Sequence, residues 1–276
     1  MAQYARPSDD LAQDAASVTA SAEDTSYPAE NLVSENPAKP AKLTTTTGSW
    51  VLEFGAAIAP VAAVLVYQYL DAGLEVRIQA NTSDSWGAPP FNQAFTIPAK
   101  RLDGPSNQRW TVNPILELTG APSYAFWRLV VVGTNSQAVV VGRLLLLSAW
   151  RDVSIFFGGS DIEEGDAPEG QIEVRTELGV ENIVSIGGPR RSLSGVLMGS
   201  DLYPAAMNLD DAALFRALHE SADGRLKPFA FRPFDEENDC WLVRFESANR
   251  ARMHKAGDYS VWPCAVREVS RGLPWP

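Results

Sequence analysis

Histidine and cysteine are scarce in this 276-residue chain, which contains two of each. A structural zinc centre takes four such ligands and an iron–sulfur cluster takes several cysteines, so both are excluded by count, as is a disulfide-rich scaffold. Cys240 and Cys264 lie in two separate strand-like segments. They are interpreted as two reduced, buried thiols, because an unbridged cysteine packs as a small hydrophobic side chain; a bridge across an antiparallel strand pair is the alternative.

Positive charge is also in short supply. The chain has 23 Lys and Arg against 34 Asp and Glu, which gives a net charge of −11. Such a chain has no broad attraction for phosphate backbones, so specific nucleic-acid binding is not expected. The motifs GxxxxGK[ST], GxGxxG, GxSxG and HExxH are absent as well. We therefore expect no cofactor.

No apolar run is long enough to span a membrane. The longest uncharged stretch, from Phe54 to Leu70, has 17 residues and includes Gly55 and Pro60, whereas a span needs roughly 20 apolar residues. Residues 1–25 lack the basic and apolar regions of a secretory signal, and are predicted as an extended N-terminal arm or a loosely packed edge segment. We expect a soluble protein without a membrane span, synthesised in a cytoplasm.

Short strand-like segments at close spacing fill the region from residue 50 to 147. Alternation is clearest from Leu74 to Ala80, where every second residue is apolar. Gly- and Pro-containing turns separate the segments, and no helical period interrupts them. Residues 26–150 are therefore predicted as an antiparallel β-sandwich. Its strands are predicted at Trp50–Phe54, Val61–Tyr69, Leu74–Ala80, Phe95–Ile97, Phe126–Val132 and Ala138–Leu147.

The composition changes near residue 150, which predicts a second domain over 151–276. Residues 161–181 carry eight acidic side chains and one base, Arg175, and are predicted as an exposed loop or hairpin. Beyond them, Val180–Ile186 and Ser192–Met198 are predicted to pair with each other around a Gly-Gly-Pro turn.

One helix pattern is convincing, over residues 209–223. Asn208 can cap its start and Gly224 can close its end. Three further strands are predicted after it, so the second domain is expected to be a β-barrel or sandwich with one flanking helix. These strands are Lys227–Arg232, Cys240–Glu246 and Tyr259–Val269.

Candidate catalytic groups are few. His219 lies on the polar flank of the predicted helix and His254 in a basic turn, and neither has a nucleophile in a recognised context. Acids are plentiful, but nothing singles out the carboxylate pair of a glycosidase. The run from Asp235 to Asp239 lacks the spacing of a calcium loop and is interpreted as a solvated turn. We expect no enzymatic activity and no metal site.

Two tryptophans in loop-like sequence are the candidate glycan-binding residues. Trp86 lies in the segment Ser85–Pro89 (SWGAP), and Trp110 lies in the segment Gln108–Thr111 (QRWT). An exposed indole can stack on the apolar face of a sugar ring, whereas the alternative is that each folds back onto the edge of the sandwich. Strand patterns place other tryptophans in the core or at its rim: Trp50, Trp127, Trp150 and Trp241.

Several segments of the first half resemble a known family. They are Pro28–Val33 (PAENLV), Gly48–Phe54 (GSWVLEF), Phe126–Val132 (FWRLVVV) and Val139–Leu147. Together they are similar to the discoidin-type, or coagulation factor 5/8 type C, jelly-roll modules over residues 15 to 150. That resemblance implies a discoidin-like β-sandwich. The family's DGDPSTxW turn is replaced here by SENPAK at Ser34–Lys39, so no calcium or ligand site is carried over.

The C-terminal region resembles the distal-tail and minor-tail proteins of tailed phages. The matching elements are Leu193–Gly195, the predicted helix, Gly224–Phe231 (GRLKPFAF), Cys240–Phe245 (CWLVRF) and Val266–Pro274. The resemblance covers residues 180 to 276. It implies a tail-tube-like β-barrel with a flanking helix, whose copies assemble as a ring around the tail channel.

The two resemblances together predict a structural virion protein of a long-tailed phage. It would form a homo-oligomeric ring at the distal tail, tail tip or baseplate, link the tail tube to the host-recognition apparatus, and have the tail tube, tail hub and fibres as partners. The alternative is a carbohydrate-binding module that attaches a particle or an enzyme to a cell-surface glycan through Trp86 and Trp110.

Overall fold

The structure is a computed structural model of the chain. It describes residues 2–37, 39–99, 101–102, 109–110, 112–120, 123–153, 157–166, 176–177, 180–181, 189–200, 217–224, 226–232, 238–245, 252–253 and 259–269. The described residues are mainly β and their strands pair antiparallel, which confirms the predicted fold class.

Twelve strands are described in the first 150 residues: β1 (Ala2–Ala5), β2 (Ser17–Ala20), β3 (Ala41–Lys42), β4 (Gly48–Ile58), β5 (Ala62–Gln68), β6 (Glu75–Asn81), β7 (Phe91–Thr96), β8 (Arg101–Leu102), β9 (Arg109–Trp110), β10 (Ile115–Glu117), β11 (Tyr124–Val132) and β12 (Val140–Leu147). The later ones are β13 (Arg151–Val153), β14 (Phe157–Asp166), β15 (Thr176–Glu177), β16 (Val180–Glu181), β17 (Pro189–Ser200), β18 (Phe229–Arg232), β19 (Trp241–Phe245), β20 (Arg252–Met253) and β21 (Tyr259–Glu268). Short 3₁₀ helices cover Pro7–Asp9, Leu11–Asp14 and Ala29–Val33, and residues 217–221 are α-helical.

Two antiparallel sheets form the sandwich. The front sheet has the strand order β2-β4-β11-β6-β7, and the middle sheet has the order β10-β5-β12-β3. In the front sheet Leu129 of β11 pairs with Trp50 of β4 on one side and Ile78 of β6 on the other. All three are at most 1% exposed, because the apolar positions of alternating strands meet on one face. Burial of each such side chain stabilises the fold by about 1.5–3 kcal/mol.

The middle sheet is buried on both faces. Every residue of β5 and β12 is buried, as in strands covered on two sides. Leu65 and Leu146 belong to the core shared with the front sheet. Val64 and Leu145 belong to a second apolar cluster, together with Leu242 of β19 and other residues beyond position 225. The described part of the molecule is therefore three β layers deep.

The third layer, the back sheet, combines both ends of the chain. Its order is β13-β1-β18-β19-β21-β17-β14, and β20 pairs with β21. The residues predicted as an N-terminal arm contribute β1 to this sheet, between β13 and β18, and β2 to the edge of the front sheet. The predicted domain boundaries and the barrel shape of the second domain stay predictions.

An ion pair fixes the first residues to the middle sheet. Asp10 Oδ2 lies 2.7 Å from Arg143 Nη2, and the two side chains are 4% and 2% exposed. Asp10 Oδ1 also accepts hydrogen bonds from the backbone N–H groups of Ala12 and Leu146. Beside this pair, Asp9 accepts from the guanidinium of Arg151, which is less buried. Buried charges need such partners, because removal from water is otherwise costly.

A polar junction joins the middle sheet to the C-terminal strands. The side chain of Asn113 accepts from Tyr67 N at 2.8 Å and donates to Cys240 O at 2.7 Å, and its backbone N–H donates to Asp239 at 2.9 Å. Tyr67 has a left-handed backbone, with φ of 53°, and its hydroxyl donates to Val269 O at 2.6 Å. These bonds satisfy buried polar groups that would otherwise destabilise the contact between layers.

The structure corrects one predicted strand pairing. Ser192–Met198 lie in β17, but β17 pairs with β14 and β21, whereas Val180 and Glu181 form β16 and pair with β15. The end of β14 falls within residues 161–181, whose acidic composition predicted an exposed loop or hairpin. In the observed register Glu164 lies opposite Arg191, a position in the sheet that no local sequence pattern sets.

The end of the predicted helix is present as expected. Residues 217–221 are helical, and Gly224 has φ of 71° and donates its N–H to His219 O at 2.9 Å. This is the left-handed glycine that closes many helices. Residues 209–216, which form the first half of the predicted helix, lie outside the described residues. Within the described ranges no helix is long and apolar enough to cross a bilayer.

Candidate functional site

The outer face of the front sheet carries half-exposed polar side chains. Along β11, Trp127 and Leu129 are buried while Phe126, Arg128 and Val130 are half-exposed. The same alternation in β6 turns Arg77 outward. A sheet with one face on the core can present polar groups at every second position of its other face. The front sheet therefore offers a surface on which a ligand could bind.

Trp86 lies on this surface. It belongs to the loop between β6 and β7, and its ring is half-buried. The guanidinium carbon of Arg128 is 4.5 Å from the centroid of the indole, which is a cation–π contact. The indole Nε1–H donates to a carboxylate oxygen of Asp84. Both contacts fix the orientation of the ring.

Arg128 is itself held by a row of side chains across three strands. Its Nε donates to Gln79 Oε1 at 2.9 Å, and Gln79 Nε2 donates to Asn92 Oδ1 at 3.1 Å. Arg128, Gln79 and Asn92 are directly opposite one another in β11, β6 and β7. Gln79 is only 6% exposed although it points outward, because the side chains of Arg128 and Asn92 bond to it from either side.

Burial lowers the pKa of Arg128, and the nearby carboxylate of Asp84 opposes that shift. The guanidinium remains a cation at neutral pH, because an arginine side chain stays protonated in proteins. Arg128 and Asp84 therefore place one positive and one negative charge beside the indole. A hydroxyl group can accept a hydrogen bond from the N–H groups of Arg128 and donate one to the carboxylate oxygens of Asp84.

The loop that carries Trp86 is tied to the end of β6. Thr82 N donates to Asn81 Oδ1 at 2.7 Å, Asn81 Nδ2 donates to Ser85 O, and Ser85 N donates to Ser83 O at 2.7 Å. An asparagine that bonds to the following backbone stabilises a turn. The position of Trp86 is thus set by local bonds as well as by Arg128.

The sequence predicted Trp86 and Trp110 as candidate glycan-binding residues, and the structure describes the side chain of the first but not of the second. Trp86 folds back onto the outer face of the front sheet. Trp110 lies in β9, opposite Arg101 of β8, but its side chain is outside the described atoms. The glycan-binding role of both tryptophans therefore stays a prediction. Trp50, Trp127 and Trp241, which the strand patterns placed in the core, are at most 3% exposed.

The remaining candidate residues are distributed elsewhere. His219, predicted on a polar flank, instead has its ring 5.4 Å from that of Phe245. Asp239 is buried and bonds to Asn113, so this end of the predicted solvated turn is part of the junction. Asp235 and His254 lie outside the described residues, as does the side chain of Cys264. Among the described side chains, no group of three or more His, Cys, Asp or Glu could hold a metal ion.

The sequence did not identify Arg128 as a partner of Trp86, nor the side chains that hold Arg128. Arg128, Gln79 and Asn92 are polar residues in strands where apolar and polar residues alternate. Their outward orientation could therefore be predicted from sequence. Their mutual contact depends on the register of three strands that are far apart in sequence, and no local pattern sets that register.

No protein-family model matches the chain, and no curated protein does. Among solved structures, the chain is similar to the family 32 carbohydrate-binding module of NanJ from Clostridium perfringens in complex with galactose, with 8% identity, a TM-score of 0.37, and coverage of 55% of this chain and 100% of that one. It is also similar to a fucose-binding module of Streptococcus pneumoniae, with 11% identity, a TM-score of 0.37, and coverage of 51% and 98%. A third is the lectin domain of lectinolysin complexed with Lewis B antigen, with 12% identity, a TM-score of 0.38, and coverage of 51% and 96%.

These matches correct the main functional prediction. The prediction of a ring-forming subunit of a phage tail is contradicted, because the three matches named above are two sugar-binding modules and a lectin domain. The tail resemblance rested on short elements of residues 180 to 276, each of which is generic in β proteins. A tail-protein identity, tail partners and a ring are not shown.

Proposed function

We propose that the protein binds a glycan through Trp86 on the outer face of the front sheet, and that it does so as a binding module without catalysis. The observation that supports this most directly is the oriented indole, held by Arg128 and Asp84 at the surface. Aromatic side chains at surfaces of this kind bind the apolar face of a sugar ring while neighbouring polar groups bind its hydroxyls.

Preorganisation favours this function. The ring orientation is fixed by Arg128 on one side and by the Asp84 hydrogen bond, and the loop is fixed by Asn81. A side chain that is already ordered loses little conformational entropy when a ligand binds. An indole that served only to fill the core would be buried, as Trp50 and Trp127 are.

The polar groups beside the ring match a sugar. Two hydrogen bonds from Arg128 go to Gln79, and a guanidinium has five N–H donors. The described residues supply no partner for the rest, so these donors are available for ligand oxygens. Asp84 accepts one bond from the indole and keeps acceptor capacity for a hydroxyl.

Binding of the full-length protein to immobilised glycans tests this proposal. The panel would include galactose-, fucose-, glucose- and N-acetylglucosamine-containing glycans. We expect retention on at least one of them, and we expect Trp86→Ala to weaken it tenfold or more, which corresponds to about 1.4 kcal/mol. Trp86→Phe keeps an aromatic face and should retain part of the affinity.

Val130→Ala is the matched control, since Val130 lies on the same face of β11 but on the opposite side of Arg128 from the Asn81 turn. It should leave retention unchanged. Thermal unfolding of each variant checks the fold. Retention that survives Trp86→Ala in a folded protein would place the site elsewhere, and no retention on any glycan would contradict the function.

A further inference from the structure

Phe126 is a second half-exposed aromatic side chain on the outer face of the front sheet. It precedes Arg128 by two residues in β11, so the two side chains lie on the same face. Two residues of a strand span about 7 Å. Phe126 therefore lies next to the assembly of Arg128 and Trp86.

The loop that carries Trp86 starts beside Phe126. Phe126 pairs with Asn81 in the register of β11 and β6, and Asn81 Nδ2 donates to Ser85 O, one residue before Trp86. The backbone of β6 thus brings the base of the loop to Phe126, and the bonds of Asn81 bring the indole back toward Arg128. The two aromatic rings share one surface.

A carboxylate accompanies Phe126 as Asp84 accompanies Trp86. Glu53 of β4 is exposed and lies opposite Phe126 on its other side. Its Oε2 accepts from Ser17 Oγ at 3.1 Å, and within the described residues its second oxygen has no partner. Each ring is therefore next to an acceptor for sugar hydroxyls, and the two positions offer the same chemistry.

The surface on the other side of Arg128 is different. Val130 follows Arg128 by two residues and lies opposite Arg77 of β6. Arg77 Nε is 2.6 Å from Glu75 Oε1, so these two charged groups already neutralise each other. No aromatic ring is near Val130 among the described outward residues of β4, β6 and β11. A ligand that extends beyond Trp86 gains contacts toward Phe126 and not toward Val130.

We propose that the outer face binds an uncharged glycan chain across two consecutive positions, with one sugar residue on Trp86 and the next on Phe126. This rests on the proposed glycan-binding function. Asp84 and Glu53 place two negative charges on this surface against the one positive charge of Arg128, so an acidic chain is disfavoured, because like charges at a binding surface repel. The ligand is therefore a neutral oligosaccharide or an internal stretch of a neutral polysaccharide, and a single sugar fills only half of the site.

Calorimetric titration with oligosaccharides of increasing length tests the inference on the full-length protein. The probes are glucose, cellobiose and cellotriose; galactose and its β-1,4-linked dimer and trimer; and N-acetylglucosamine, chitobiose and chitotriose. We expect the dimer of the preferred series to bind at least tenfold more tightly than its monosaccharide, and trigalacturonate to bind more weakly than the neutral trimers.

Phe126→Ala should remove the gain from the second sugar, so that the dimer and the monosaccharide bind this variant with similar affinity, whereas Val130→Ala should preserve that gain. If Phe126→Ala does not fold, Phe126→Leu replaces it in the test, because leucine keeps much of the apolar volume without the ring. Phe126→Leu should lose most of the affinity gained from the second sugar. Trp86→Ala should weaken binding of every length.

The outcomes separate the two proposals. If monomer and dimer bind equally well and Trp86→Ala removes both, the glycan-binding function stands and the second position is overturned. If Phe126→Ala and Val130→Ala weaken the dimer equally, the direction of the chain is overturned. If no series binds, the proposed function fails and the two-position site fails with it.

Discussion

The front and middle sheets have similar strands but different surroundings. In β11 of the front sheet, buried and half-exposed residues alternate from Phe126 onward, whereas every residue of β5 and β12 in the middle sheet is buried. A strand with one face in water can carry polar groups that meet a ligand. A strand covered on both faces has apolar side chains at nearly every position, and a charge there requires a partner. We therefore expect the ligand-binding side chains to lie on the front sheet, and the substitutions that most destabilise the fold to lie in the middle sheet.

The largest effect is expected from the charge inside the middle sheet. Asp10→Ala leaves the guanidinium of Arg143 buried without its carboxylate. Loss of one partner of a buried ion pair costs about 3–5 kcal/mol, and equilibrium unfolding in urea measures it. Asp9→Ala is the matched control, since its partner Arg151 is 23% exposed, and a smaller loss is expected. Equal losses for both variants would show that burial does not decide the cost.

The two faces of β12 provide the next test. Leu145 packs against the cluster shared with the back sheet and Leu146 against the core shared with the front sheet. We expect Leu145→Ala and Leu146→Ala each to lower the free energy of unfolding by about 2–5 kcal/mol, as for other buried leucines. If the Leu145→Ala protein is as stable as the unmodified one, the back sheet contributes little to the stability of the sandwich. That result is the one expected of two independent domains.

Sequence patterns predicted strands well where local spacing determines them. The alternation from Leu74 to Ala80 identified β6 and its buried face, since Val76, Ile78 and Ala80 are at most 1% exposed. The continuous apolar segments at β5 and β12 were also recognised as strands. That both are covered on two sides was not predicted, because burial of their second face depends on β19 and on other strands distant in sequence.

Long-range partners account for most of what the sequence missed. Trp86 was identified from its loop, but its contact with Arg128 depends on pairing between β6 and β11. Arg143 stands inside an apolar run, and its partner Asp10 is 133 positions away. The pairing of β17 with β14 depends on register as well. In each case two residues with no local relation stabilise each other only after the sheets have formed.

A smaller difference in the free energy of unfolding is expected when the same Val→Thr substitution is made once on each sheet. Val51 is half-exposed on the outer face of β4, whereas Val64 is fully buried in β5. Val51→Thr should change the free energy of unfolding by no more than about 0.5 kcal/mol. Val64→Thr places a hydroxyl in an apolar cluster and should cost about 1–3 kcal/mol. Urea unfolding of both variants measures the difference, and an equal cost would contradict the assignment of the two faces.

The smallest effect is expected at the edge of the middle sheet, where its burial ends. Lys42 of β3 lies 2.9 Å from Asp24. The hydrogen bond from Lys42, with one from the backbone of Ser26, lowers the pKa of Asp24 below its ordinary value of 3.8. A carboxylate whose pKa is lowered by folding stabilises the protein above that ordinary value, and the contribution is lost as the pH falls through the folded-state pKa. Unfolding curves of the unmodified protein and Asp24→Asn should therefore differ slightly at pH 6 and converge toward pH 2. A constant difference across that range would mean that the ion pair does not contribute through the charge of Asp24.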